Sequence, residues 1–308
     1  MIHIESSTFD LQGFIMISRQ ITAQIEQYKR GFPVITITGP RQSGKTTLAQ
    51  NLFPNKPYVN LEKPDVRRAA TIDPEAFLAA FPDGAIIDEV QYTPELLSYI
   101  QVIVDEKKEP GMFVLTGSQQ FNLLANISQS LAGRSAICEL LPLSLTEISD
   151  QNLTNDSNIQ MVQGFYPALY STDVNSKDWY GSYIRTYLER DVNQLLNIRH
   201  RALFEKFVHV LAGRIGQLFN ANNIANEIGV SAPTIREWLS ILETSYIIHK
   251  LPPYFENFGK RHIKSPKIYF TDVGLACYLL GIYQPEHIHL HPLRGQLFEN
   301  MIVMEMVK

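Results

Sequence analysis

The octapeptide Gly39-Pro-Arg-Gln-Ser-Gly-Lys-Thr46 constrains this chain more than any other feature. It follows the β-branched run VITIT at 34–38 and precedes the helical pattern TTLAQNLF, so the backbone must turn sharply from a strand into a helix. Two glycines let that turn curl until successive N–H groups point into one concavity, and the helix behind it adds the positive end of its dipole. Such a loop suits a phosphate chain. Gly39, Pro40, Arg41, Gln42, Ser43 and Gly44 are expected to form the cradle, Lys45 to reach the β and γ phosphates as a point charge, and Thr47 to touch the α-phosphate. The Thr46 hydroxyl is the expected ligand of Mg²⁺, so the motif asks for ATP and Mg²⁺ together.

A second apolar run, Ala85-Ile-Ile-Asp-Glu89, ends in two carboxylates. At the end of a strand beside the loop, Asp88 is placed to hold Mg²⁺ through water and Glu89 to polarise an attacking water. A solvated acidic loop is the plainer reading, and it loses ground because the pair follows a phosphate loop. A third run, Met112-Phe-Val-Leu-Thr-Gly-Ser118-Gln119, would bring Ser118 or Gln119 beside the γ-phosphate if its strand lay between the other two. Against this stands a Thr-Gly-Ser turn chosen for conformation alone. Arg134, in SLAGRS, is a candidate arginine finger, in cis or in trans, with a surface ion pair as the competing reading.

Short apolar runs alternating with helical patterns between Gly31 and about Leu145 predict an α/β fold, a parallel sheet with crossover helices. With 308 residues the chain exceeds one ordinary core. The expected division is an extension at 1–15, a P-loop ATPase domain at 16–148, a polar linker at 149–160 and a helical region at 161–219. A winged helix-turn-helix at 220–270 and a further module at 271–308 complete it. No apolar stretch approaches the roughly 20 residues of a membrane span, the start MIHIESSTFD has no secretory pattern, and Cys138 and Cys277 lack metal-ligand spacing. Those features predict a cytoplasmic protein with two buried thiols and no membrane association.

The segments GPRQSGKTTL, AIIDEVQ, FVLTGSQQF, LAGR and LPLSLTEI together resemble bacterial and archaeal AAA+ ATPases of the type joined to a C-terminal domain of unknown function. YLERDV, PPYFENFGKRHIKSPKIYFTDVGLACYLLG and GQLFEN resemble that C-terminal domain, so the likeness covers about 16–308. It implies ATP hydrolysis in an AAA+-like domain. Members of that family usually open near a residue like Met16 and usually continue past GQLFEN into a nuclease-like module. Only Glu299 of that module's acidic set is present, so the resemblance implies no nuclease activity here, and 271–308 reads as the start of a module cut short.

The C-terminal half is harder to read. Residues 220–250 spell a short helix, a turn at Gly229, and a longer helix capped by Ser231 with Pro233 in its first turn. As a DNA reader, that second helix would expose Ser231, Thr234 and Arg236 and bury Ile235, Leu239 and Leu242. Lys250, Lys260, Arg261, Lys264 and Lys267, interleaved with Tyr254, Phe255 and Phe258, would then form a wing over phosphates. Packing, or binding of a protein partner, explains the same pattern. Charge does not choose: residues 1–179 carry 13 Lys and Arg against 20 Asp and Glu (net −7), and 180–308 carry 14 against 11 (net +3). The HIHLH run at 287–291 reads as a solvated loop.

Three functions remain open on sequence: an ATPase that moves a winged-helix module on double-stranded DNA or a protein; a phosphotransferase with a small-molecule acceptor; and a nucleotide-regulated binding protein with negligible turnover. Assembly into a homo-oligomer would follow if Arg134 serves a neighbouring copy.

Overall fold

The computed structural model describes residues 17–118, 130–149, 156–188, 201–254 and 265–308. The extension at 1–15, Gln119, most of the linker, YLERDV beyond Leu188, and Phe255, Phe258, Lys260, Arg261 and Lys264 lie outside the described residues.

The N-terminal half is a three-layer α/β unit. In chain order it runs α1 (Thr22–Tyr28), β1 (Val34–Thr38), α2 (Lys45–Leu52), β2 (Tyr58–Asn60), α3 (Pro64–Ile72), α4 (Pro74–Ala79) and β3 (Ile86–Asp88). A 3₁₀ turn (Val90–Tyr92), α5 (Leu96–Lys107), β4 (Phe113–Gly117) and β5 (Ser135–Glu139) follow. All five strands are parallel, in the order β2-β3-β4-β1-β5. The predicted third strand, β4, thus lies between the loop-bearing β1 and the carboxylate-bearing β3.

Burial explains the pattern. Every residue of β1 and β4 is buried because helices cover both faces: Ile35 and Ile37 pack with Leu48 and Ala49 of α2, whereas Val34 joins Phe77, Leu97 and Ile100 on the other side. The two strands that the sequence did not announce, β2 and β5, are the edges. Their mixed burial follows from having one neighbour each, so neither carries a continuous apolar run.

The chain then passes through α6 (Leu145–Ser149) into α7 (Ser157–Gln163), α8 (Ala168–Ser171), α9 (Ser176–Tyr187), α10 (Arg201–Ala212), α11 (Ala221–Ile228) and α12 (Ala232–Thr244). An antiparallel ribbon, β6 (Ile248–Leu251) with β7 (Lys267–Phe270), precedes α13 (Val273–Leu279), α14 (Pro285–His289) and α15 (Arg294–Val307). Gly229 adopts φ 88° to end α11, and Ser231 caps α12 by accepting the Thr234 amide. Losing such a cap costs about 1 kcal/mol. Ile235, Leu239 and Leu242 are buried, as the helical spacing predicts, and Trp238 joins them against Phe204 and Phe207.

Residues expected to form separate units at 161–219, 220–270 and 271–308 share one apolar core, which extends from Met161 through Trp238 to Met301. The HIHLH run is a correction: 287–289 end the short helix α14 instead of lying in a loop, because Pro285 starts a turn that buries Ile288. Cys138 and Cys277 are both buried free thiols. Among the described residues, no helix is long and apolar enough to cross a membrane.

Candidate nucleotide site

The site grows from the C-terminal ends of β1, β3 and β4, where a parallel sheet leaves a crevice. Gly39 departs from β1 at φ 145°, and a Cβ there would lie 2.2 Å from the carbonyl oxygen of Leu140. Only glycine lets the loop pass that close to the segment leaving β5. Gly44 then starts α2 at φ 91°, with the Leu48 amide bonded to its carbonyl at 2.9 Å.

Lys45, almost fully buried, donates to the carbonyls of Gly39 (3.1 Å) and Pro40 (2.7 Å), so its ammonium is held inside the loop. Burial pulls its pKa down to about 8; Glu89 and Asp88 oppose the shift and Arg41 adds to it. The Ser43 hydroxyl is buried without a hydrogen-bond partner among the described residues. A buried orphan of this kind is costly unless a ligand or water satisfies it. Gln42, at φ 62°, and Thr47 are exposed, and Arg41 is half-buried.

Across the crevice, Thr46 donates to both oxygens of Asp88, at 3.2 and 3.0 Å. The loop hydroxyl and the strand carboxylate expected to serve Mg²⁺ are therefore already adjacent. Asp88 also accepts from Tyr58 at 2.6 Å and from the Thr116 hydroxyl. Burial, followed by the Asp88 carboxylate, raises the Tyr58 phenol well above its ordinary pKa, so Tyr58 stays a donor. Glu89 sits at φ 57°, a left-handed conformation that costs a non-glycine residue roughly 1–3 kcal/mol and recurs at functional sites. Its carboxylate accepts from Gln91 and, at 3.3 Å, from the Ser118 hydroxyl.

The donor set fits a Mg-bound triphosphate: backbone amides and a cation for the phosphates, a hydroxyl and a carboxylate for the metal, and one further carboxylate beside them. Ser118 and Glu89, expected separately, touch each other. Arg134 does not join them. Its backbone carbonyl accepts the Val34 amide where β1 begins, whereas the loop leaves after Thr38, roughly 16 Å further along the strand. Its guanidinium forks onto Asp105 of α5 at 2.5 and 2.7 Å, an exposed pair. Within one chain, that placement sets Arg134 at the end of the sheet away from the loop.

Sequence reasoning missed four side chains: Tyr58 and Thr116 on Asp88, Gln91 on Glu89, and Arg19 on the carbonyl of Ser43. Thr116 and Gln91 lie inside the recognised runs, so their polarity was a usable signal. Tyr58, on an edge strand of three residues, gave none.

Two family models match this chain, one described as an AAA domain over residues 31–149 and one as a domain of unknown function (DUF8612) over residues 154–286. The uncharacterized proteins Mb2031c of Mycobacterium bovis and Rv2008c of Mycobacterium tuberculosis are each 32% identical over 308 residues, spanning 98% of this chain and 68% of theirs. The chain belongs to the AAA-type P-loop family with a C-terminal domain of unknown function. Among solved structures, the Walker-type ATPase paby2304 of Pyrococcus abyssi superposes with a TM-score of 0.54 at 16% identity, covering 88% of this chain and 99% of that one. At that identity the likeness speaks to the fold alone.

Proposed function

We propose that this AAA-type protein binds Mg-ATP between residues 39 and 47, hydrolyses it, and passes its nucleotide state to the C-terminal half, which acts on a partner. The observation that carries this reading is the convergence of Lys45, Thr46, Asp88, Glu89 and Ser118 at the ends of neighbouring strands. Glu89 polarises the attacking water, Lys45 steadies the β and γ phosphates, and Ser118, touching Glu89, responds to loss of the γ-phosphate. Thr46, and Asp88 through water, would hold Mg²⁺, which would supply charge neutralisation at the phosphates. A carboxylate poised next to the metal ligand supports water over a small-molecule acceptor.

Arg134 is assigned to the site of a neighbouring copy in a homo-oligomer. Its fork is exposed and its bond to Asp105 is screened by solvent, so a phosphate can replace the carboxylate. ATPase rate per chain should then climb with protein concentration, and Arg134→Ala should lose at least tenfold in turnover while keeping its ATP affinity. A rate independent of concentration would remove this role.

For the partner, the helix-turn-helix with its ribbon supports a winged-helix surface across 220–267, and charge pairing favours a protein over double-stranded DNA. Among the described residues, Lys250 pairs with Glu243, Lys267 with Glu299 and Arg214 with Glu227, while Arg236 stands exposed on α12. Cations already committed to carboxylates have less to offer phosphates. The test is phosphate release with and without double-stranded DNA from about 50 to about 200 mM salt. Mg-dependent release that ignores DNA supports the reading. DNA stimulation with a steep salt slope would replace the protein partner with DNA, and absence of release at any salt would remove the ATPase.

A further inference from the structure

We infer that Arg19 is a positioning residue of the phosphate loop, and that with Glu147 it couples nucleotide binding to the seating of α15. The inference rests on the loop being a nucleotide site. Arg19 precedes α1, far from the loop in sequence, yet its largely buried guanidinium donates to the Ser43 carbonyl at 2.8 Å and to the Leu141 carbonyl at 2.6 Å. Its Nε lies 3.1 Å from Glu147. A Cβ on Gly44 would sit 3.8 Å from the same guanidinium, so Arg19 braces the loop where it turns into α2.

Glu147 does three things at once. It holds Arg19, accepts the Gln20 amide at 2.7 Å, and closes a reciprocal cap with Ser144, whose amide it accepts at 2.9 Å while the Ser144 hydroxyl accepts the Glu147 amide at 3.1 Å. Burial lowers the Arg19 pKa and Glu147 opposes that shift; a guanidinium so paired stays charged, and adds positive potential behind a loop built for anions.

The far side of the same segment is held by the C-terminal helix. Glu305 accepts the Leu145 amide at 2.8 Å, and Lys308 donates to the Leu143 carbonyl at 2.5 Å. The Leu141 side chain packs with Tyr246, Tyr269 and Met304, which come from the turn after α12, from β7 and from α15. From the Ser43 carbonyl to Glu305, therefore, the path runs through the Arg19 guanidinium, its ion pair with Glu147, the 143–147 segment and the Leu145 amide. A continuous chain of contacts can transmit a shift at one end to the other, and the effect must be reciprocal.

Nucleotide affinity is measured on the full chain by titrating an N-methylanthraniloyl-ATP probe with wild type, Arg19→Ala, Glu305→Ala and the double variant. Arg19→Ala should raise Kd about tenfold, and Glu305→Ala, though remote from the loop, about threefold. Because both act along one path, the double variant should resemble Arg19→Ala instead of reaching the roughly thirtyfold product of independent effects. Amide hydrogen exchange supplies a readout that simple destabilisation does not move: the probe should slow exchange in 143–147 and α15 of wild type, and Arg19→Ala should abolish that protection while remaining folded. Arg19→Lys, with one ammonium in place of the fork, takes the place of Arg19→Ala in both assays should alanine not fold, with a smaller loss of the same kind expected.

A Glu305→Ala protein that is folded and binds the probe like wild type, or a double variant at the full product, overturns the coupling. If wild type binds the probe and Lys45→Ala does not, the nucleotide reading survives that failure; if wild type binds none, both fall.

Discussion

Glu89→Gln should stop phosphate release while leaving ATP bound. Turnover is expected to fall by about 10²–10⁴-fold, the usual worth of a positioned general base, with Kd for ATP within about threefold of wild type. Glutamine keeps the length and one acceptor oxygen, so the contacts with Gln91 and Ser118 need not be lost. What disappears is the negative charge that draws a proton from water. The effect on kcat separates this role from a structural one, because Asp88, not Glu89, is bonded to Thr46. Equal release from both proteins would move the chemistry away from Glu89. Tight ATP binding with no release from either would leave a nucleotide-regulated binding protein.

How much of this was legible in the sequence depends on whether the information was local. The loop motif, β1 and β3 are contiguous in the chain, and their chemistry follows from residue type and order; hence the meeting of Thr46 with Asp88 could be anticipated. The insertion of β4 between β1 and β3 was legible only as a condition, since register and strand order are set by packing across the whole sheet. Arg134 shows the limit. LAGRS reads as a finger from its neighbours in sequence, yet the parallel register of β5 with β1 puts it at the opposite end from the loop. Arg19 is the converse case: nothing in its surroundings marks it, and its importance arises from a contact with Ser43 that only the folded chain creates. In the C-terminal half, helical periodicity identified Ile235, Leu239 and Leu242, whereas the burial of faces of α7, α12, α13 and α15 in one core depends on long-range packing that no local pattern carries.

Lys45→Ala should cost nucleotide affinity about 10- to 150-fold, the worth of roughly 1.5–3 kcal/mol for a hydrogen bond to a charged group, and should lower turnover further because the same ammonium serves the transition state. The side chain is buried and donates to the loop carbonyls of Gly39 and Pro40, so its charge has lost its hydration before any phosphate arrives. That burial yields a pH signature. With its pKa pulled down to about 8, Lys45 of the free protein is charged below pH 8 and binding needs no proton from this group. Above pH 8 a proton must be taken up along with the phosphates, so Kd should rise by up to about tenfold per pH unit until the group's pKa in the complex is reached. Fold stability responds in the opposite sense: between pH 8 and the ordinary value of 10.5 the unfolded chain holds more protons, so this group makes the fold more stable as pH rises. Titrating wild type and Lys45→Ala with a fluorescent ATP analogue across that range checks both the loss and its cause. The variant should show a weak, flat profile over the window where wild type weakens; parallel profiles would assign the pH dependence to another group, and an unchanged Kd would remove the loop lysine from phosphate binding altogether.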